Sequence, residues 1–279
     1  VLVGDADQLP SVGAGTVLAS FLASGWFSVT RLTQIFRQAE NSRIIVNAHR
    51  VNRGQLPENL PLRPGELTDF YWIEQDDPER AVELIEKMVV ERIPARFGLD
   101  PVRDVQILTP MNRGSCGTIS LNARLQEQLN GGDRPQFKLG ERVFRTGDKI
   151  MQISNNYEKN VFNGDFGRLG RIHFKEKKFL VLFDDGRLVE YRFEEAEQLS
   201  LAYAVTVHKS QGSEFPAVVL PFLTQHYMML QRNLLYTAMT RAKRLLVLIG
   251  SQRAVRMAVE NARLEPRFSL LTERLVELR

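Results

Sequence analysis

The sequence predicts an α/β protein carrying an inserted, small all-β module, and three observations lead there. Apolar runs of strand length alternate with segments of helical period up to about residue 130. The same alternation resumes after residue 199. Between them, residues 137–193 hold only short stretches of β-branched and aromatic residues, broken by the turn signals Thr146-Gly-Asp148, Asn163-Gly-Asp165 and Asp184-Asp-Gly-Arg187. About five short strands in so brief a span indicate a small barrel.

Taken in order, Val1-Leu-Val-Gly-Asp5 is an apolar run ending in Gly-Asp, the pattern of a central parallel strand whose tip carries a functional carboxylate. Its neighbours are expected upstream, so the chain reads as part of a longer protein. Without them, residues 1–3 are expected to be disordered or to pair with another chain. Residues 14–24 read as a short helix, 29–33 as a strand leading into Gln34-Ile-Phe-Arg-Gln38, and 42–52 as a helix. Pro and Gly punctuation marks a loop over 54–65. A strand is expected at 70–74, a helix at 78–92 with Pro78 near its start, a buried strand at 105–108 and a helix at 119–129. The pattern changes at Asn130-Gly-Gly-Asp133. After the β module come a helix near 199–207, a strand at 217–220, a helix at 228–239, a strand at 245–249 and a closing helix.

Composition narrows the function classes. With 43% hydrophobic and 25% charged residues, the 279-residue chain has a globular composition. Its apolar runs fall far short of the roughly 20 residues that cross a bilayer. The net charge of +4, from 37 basic against 33 acidic residues, tilts only weakly toward a polyanionic partner. The single cysteine, Cys116, rules out an internal disulfide framework, and the four histidines show no zinc spacing. A reducing, cytoplasmic setting fits, with no metal ligands assigned.

Five segments carry chemistry. Gly4-Asp-Ala-Asp-Gln-Leu-Pro-Ser-Val-Gly-Ala-Gly15 follows the first strand and places Asp5, Asp7 and Gln8 where α/β proteins bind ligands. A neutral amide such as Gln8 senses a γ-phosphate without adding repulsive charge; the competing reading is a Gly-rich turn with Asp7 capping a helix. Leu32-Thr-Gln-Ile-Phe-Arg-Gln38 offers Arg37, whose guanidinium suits bidentate contact with phosphate, or else a surface ion pair. Leu108-Thr-Pro-Met-Asn-Arg-Gly114 puts Thr109, Asn112 and Arg113 at a strand tip, fit to hold a nucleic-acid backbone or to form a plain polar loop.

In Thr206-Val-His-Lys-Ser-Gln-Gly-Ser-Glu214, the Thr206 hydroxyl, His208 imidazole and Lys209 ammonium precede Gly212, where backbone can approach a ligand closely. Glu214 follows, placed to accept hydrogen bonds from a ribose hydroxyl. A His208/Ser210 hydrolase pair has no nucleophile elbow and no third triad member beside it. In Arg232-Asn-Leu-Leu-Tyr-Thr-Ala-Met-Thr-Arg241, helical spacing stacks Arg232, Tyr236 and Thr240, with Arg241 at the helix end. An arginine there stabilises charge on a transferring phosphoryl group; alternatively Arg241 and Lys243 merely complement the helix C-terminus.

In this order, the segments resemble the later motifs of superfamily 1 helicases, most closely the RecD-like branch of the exodeoxyribonuclease V alpha subunit and its stand-alone relatives. Gly4–Gly15 looks like motif III, Leu32–Gln38 like motif IV, Thr206–Phe215 like motif V and Tyr236–Ala242 like motif VI. The resemblance implies a RecA-like, P-loop NTPase-type parallel-sheet domain with an SH3-like barrel inserted. Residues 1–28 would be the tail of a first RecA-like domain, 29–130 and 199–279 the two parts of a second, and 131–198 the barrel. It implies that Gln8 and Arg37 contact the γ-phosphate, that Arg241 is the arginine finger, and that Gly212 and Glu214 approach the nucleotide. It also implies that Thr109, Asn112, Arg113, Thr206, His208 and Lys209 meet single-stranded DNA, and that the barrel lies over the DNA path. Pro10-Ser-Val-Gly13 follows Gln8 where the 3′ to 5′ branch commonly has a base-stacking aromatic, which points to the 5′ to 3′ class.

The implied activity is that of an ATP-dependent DNA helicase working in repair or recombination with ATP and Mg²⁺, alone or beside other subunits of a nuclease-helicase complex. The chain has no G-x-x-x-x-G-K-[ST] segment and no acidic pair on a strand before motif III. Both are expected upstream, so the chain by itself is expected not to hydrolyse ATP. A non-enzymatic single-strand-binding module, or the helicase-like part of a conjugative relaxase, is the competing reading.

Overall fold

The computed structural model describes residues 1–279 except 12, 14, 33–41, 62, 64, 264–266, 268 and 278–279. The first part of the chain forms α1 (Val17–Ser24), α2 (Arg43–Asn52), β1 (Phe70–Ile73), α3 (Pro78–Lys87), α4 (Ile93–Phe97), β2 (Val105–Thr109) and α5 (Thr118–Asn130). Local capping sets the helix starts. The Ser42 side chain accepts from Ile45 N–H ahead of α2, and Asp77 accepts from Arg80 N–H ahead of α3, where Pro78 occupies the first turn. The predicted helix over 78–92 runs further, through a widened turn at Met88–Arg92 in which Ile93 N–H donates to Met88 O. Pro94, which has no N–H to give, follows that turn. Gly98, at φ 63°, ends the run.

The β module consists of β3 (Gln136–Leu139), β4 (Arg142–Arg145), β5 (Lys149–Gln152), β6 (Phe166–His173), β7 (Lys178–Phe183) and β8 (Leu188–Arg192), with β9 (Leu199–Leu201) closing it. β3 and β4 form a hairpin, and the other five make an antiparallel sheet ordered β8-β7-β6-β5-β9. Phe137, Phe144, Phe179, Phe183 and Tyr191 fill its core, with Phe137 facing Phe144 across the hairpin and stacked on Phe193 at 4.2 Å.

The chain then supplies β10 (Ala204–Thr206), β11 (Phe215–Pro221), α6 (Arg232–Met239), β12 (Ala242–Ile249), α7 (Gln252–Glu260) and α8 (Leu271–Glu277). β1, β12, β11, β2 and β10 lie side by side, all parallel. β2 is buried at every position, as a strand covered on both faces must be. On one face Val218 and Leu220 meet α2 and α6 residues such as Val51 and Leu235. On the other, Ala217 and Val219 join Ile85 of α3 and Leu121 of α5.

Residues 1–3, a strand pattern without its neighbours, form no strand; they are exposed and have no ladder partner among the described residues. Three other expectations fail in whole or in part. Residues 29–32 form no strand either, and residue 33 lies outside the described residues. The helix expected near 199–207 is instead β9, a bend at Ala202-Tyr203, and β10. β9 pairs antiparallel with β5 in the barrel, and β10 pairs parallel with β2 in the main sheet. Tertiary pairing overrides an apolar run too short for its period to decide. The helix expected over 228–239 starts only at Arg232, after a tight turn at Thr224–Met229.

Two adjacent buried charges fasten the barrel to the main domain. Asp148 is fully buried. Its carboxylate accepts from Gln126 Nε2 at 2.7 Å and Asn130 Nδ2 at 2.8 Å, both on α5, from Tyr203 Oη at 3.0 Å and from Arg145 N at 2.6 Å. Lys149, also buried, donates from Nζ to Val105 O at 3.0 Å. Gly147 turns with φ 94°, and a Cβ there would lie 2.9 Å from Asn130 Oδ1. Among the described residues, no helix is long and apolar enough to cross a membrane.

Candidate functional site

Motif-bearing segments far apart in sequence converge on Arg241. α6 ends at Met239 and β12 begins at Ala242, so Arg241 sits at the junction, 7% exposed. Its Nη2 donates to Gln8 Oε1 at 2.7 Å and to Thr240 Oγ1 at 3.3 Å. Nε donates to Thr237 O at 3.2 Å and Nη1 to Ser213 O at 3.1 Å. All four acceptors are neutral. Among the described residues no carboxylate lies within ion-pair distance of this guanidinium. Burial lowers its pKa, opposed by the more distant charges of Glu214 and Asp5. A buried cation held by dipoles alone is a ready partner for an anion.

The loop at residues 5–10 is pinned around it. Gln8 Nε2 donates to Asp5 Oδ2 at 3.0 Å, and Tyr236 Oη donates to the same oxygen at 2.9 Å. Asp7 accepts from Asn52 Nδ2 at 2.8 Å, and so does not cap α1, whose first turn has no side-chain cap. Leu9 N–H donates to Thr237 Oγ1 at 2.8 Å, and Gln211 Nε2 donates to Leu9 O at 2.7 Å. Burial, with the Asp5 charge beside it, pushes the Tyr236 phenol well above its usual range. Gly212 is left-handed at φ 82° with nothing within 4 Å of where a Cβ would sit, leaving its backbone open to a ligand. Glu214 is exposed and pairs with Lys243 Nζ at 2.9 Å on the rim.

Three protein families match segments of the chain. An ATP-dependent RecD-like DNA helicase SH3 domain matches residues 121–183, a UvrD-like helicase C-terminal domain residues 201–249, and an AAA domain residues 1–63. The chain is 38% identical, over 275 residues and 99% of its length, to the ATP-dependent RecD2 DNA helicase of Deinococcus radiodurans. Over nearly its whole length, the chain is similar to RecD-like helicases. It is also 28% identical over 270 residues, 93% of its length, to the RecBCD enzyme subunit RecD of Mycolicibacterium smegmatis. It spans 36% of the first relative and 46% of the second. The fold is similar to that of a Bacteroides Pif1 helicase crystallised with ADP-AlF3 and ssDNA, at a TM-score of 0.52 and 18% identity, covering 99% of this chain and 66% of that one.

Within this RecD-like chain, the site residues expected from sequence divide. Gln8 and Arg241 are in direct contact, and Gly212 and Glu214 flank Ser213, which accepts from Arg241. Arg37 lies outside the described residues. Thr109 is fully buried, its hydroxyl donating to Cys116 O at 2.6 Å, so it faces inward and is not offered to a nucleic acid. Thr206 is also buried and caps the turn Val207–Ser210 by accepting from Lys209 N. Asn112, Arg113, His208 and Lys209 are exposed. The parallel order places the tips of β10 and β2 side by side, so these four share one edge. Crowding by surrounding protein, with the Arg267 charge, lowers the His208 pKa. Arg232, at the other end of α6, donates from Nε to Val259 O at 2.7 Å.

Nothing in the sequence pattern points to Gln211 or Thr237, which hold the loop, and Asp5, expected as a ligand-side carboxylate, is taken up by Gln8 and Tyr236. Tyr236 was placed on the right helix face by its spacing, but its partner is 231 residues away. Among the described residues, no three metal-ligating side chains cluster. A guanidinium held only by neutral acceptors has the chemistry to take a phosphate oxygen instead.

Proposed function

We propose that this chain supplies the phosphate-sensing and strand-gripping part of an ATP-dependent 5′ to 3′ DNA helicase. The observation that carries the reading is Arg241: a buried guanidinium, free of any carboxylate among the described residues, touching Gln8 from a distant segment. Gln8, Arg241 and Arg37 would face the phosphates of ATP, Gly212 the nucleotide through its backbone, and Glu214 the ribose. Bound ATP, with Mg²⁺, supplies the γ-phosphoryl group whose transfer to water releases the driving free energy. Arg241 exchanges one neutral acceptor for the phosphate and stabilises its developing charge. Gln8, relieved of that contact, remains on Asp5 and keeps the loop in place. Because Leu9 bonds Thr237 and Gln211, any shift of this loop is passed to the segment bearing His208 and Lys209.

The strand-gripping surface is the edge with His208, Lys209, Asn112 and Arg113, whose chemistry suits a phosphate backbone. Barrel residues Tyr157 and Phe162, both exposed and in edge-to-face contact at 6.0 Å, offer flat surfaces for bases. Beside this, a purely DNA-binding role has no use for an unpaired buried arginine.

The test is Arg241→Ala in the full-length protein. Single-strand-stimulated ATP hydrolysis is expected to fall by about 10³ or more while oligonucleotide binding persists. Unchanged hydrolysis would overturn the assignment.

A further inference from the structure

The tight turn Thr224–Met229 follows β11, and it exposes an aromatic and a thioether together. Tyr227 is 64% and Met228 68% exposed, while His226 beside them is buried. The turn is built rigidly. Leu223 N–H donates to His226 Nδ1 at 3.2 Å, and burial pushes the His226 imidazole down to about 4, so it stays neutral and keeps accepting at neutral pH. Thr224 donates from both N and Oγ1 to Asp76, at 2.9 and 2.7 Å. A rigid turn that shows Tyr and Met to water keeps the cost of ordering them on binding low.

Its position gives the partner. In the sheet order, β11 neighbours β2 and β2 neighbours β10, so the turns after these three parallel strands stand in a row, about 5 Å from strand to strand. The Gln225 side chain reaches the loop after β2, its Oε1 3.8 Å from where a Cβ on Gly114 would sit. One edge therefore carries His208 and Lys209, then Asn112 and Arg113, then Tyr227 and Met228. Asp76, toward β1, is taken up by Thr224 and Ser251, and Glu79, beside the loop after β2, accepts from Ser115 Oγ at 2.6 Å. The exposed cations next to an aromatic and an apolar surface fit a single strand whose backbone follows the cations and whose base lies on the ring.

We propose that Tyr227, with Met228 beside it, is a base-stacking station for single-stranded DNA at the end of this edge. The assignment rests on the DNA-binding reading above and extends it to a segment outside the four helicase-like motifs. It predicts a sequence-tolerant contact, since every base has a π-face.

The experiment uses the full-length protein and oligothymidylate carrying 5-iodouracil at successive single positions. Long-wavelength irradiation is expected to give an adduct at Tyr227 from one or two adjacent positions. Tyr227→Ala removes it and weakens oligonucleotide binding about tenfold, while Tyr227→Trp restores the affinity. Arg113→Ala and Lys209→Ala weaken binding through the backbone and reduce its salt dependence. If those two variants lose affinity while Tyr227→Ala binds like the parent and no adduct maps to residues 227–228, the stacking station is overturned and the DNA-binding edge stands. If the parent protein does not bind the oligonucleotide, both fall.

Discussion

Arg241 Nη2 lies 2.7 Å from Gln8 Oε1 although 233 residues separate them, and the amide oxygen neither pairs with the cation's charge nor leaves it without a hydrogen bond. An amide is the side chain that does both. A carboxylate would form a partly buried ion pair, and an apolar residue would leave the guanidinium donor unsatisfied.

Gln8→Glu tests this balance. The new carboxylate is expected to pair with Arg241, hold it away from phosphate and repel the γ-phosphate. ATP hydrolysis by the full-length protein should fall at least tenfold with no loss of melting temperature. A variant that hydrolyses ATP at the parent rate would show that the Gln8–Arg241 contact has no part in turnover.

Lys149 gives a pH-dependent prediction. Burial pushes its ammonium from 10.5 down to about 8 in the folded protein. Between those values the unfolded chain binds a proton that the folded one does not, so stability rises with pH across this window. Below pH 8 both forms are protonated and the folded state bears the full penalty, an upper limit of about 3 kcal/mol. Lys149→Met should therefore be more stable than the parent at pH 7, and the difference should shrink steadily from pH 8 to about 10.5. Urea titrations at several pH values measure it; a constant difference would contradict the assignment.

Asp148 gives the opposite outcome on mutation. Burial raises its pKa against the pull of its donors, yet four donors and no other acceptor meet its two oxygens, an arrangement only an acceptor-only group satisfies. Asp148→Asn turns one oxygen into a donor facing donors, and is expected to cost about 2–3 kcal/mol. Tyr203→Phe, which deletes one donor, is expected to cost about 1 kcal/mol. Equilibrium denaturation compares the two, and equal losses would count against a shared acceptor.

The strand and helix types were legible wherever a local cause acts. Val105–Thr109 reads as a buried strand from its apolar run, and α2 and α3 start where Ser42 and Asp77 cap them. Residues 199–206 were misread because their identity depends on β5 and β2, which no local period reports. Thr109 was misread for a related reason: its position at a strand tip is visible in sequence, but the direction of its hydroxyl is set by Cys116 O.

By itself, then, the sequence determined the α/β class and the inserted β module, because hydrophobic period, turn residues and caps act over a few neighbours. Tertiary structure alone decided that Gln8 meets Arg241, that Tyr236 holds Asp5, that Asp148 and Lys149 are buried at the barrel's base, and that Tyr227 continues the edge begun by Lys209. These hydrogen-bonded relations join groups from 22 to 233 residues apart in the chain. They exist only once strand order and packing bring the segments together, and burial then sets their charge and hydrogen bonding.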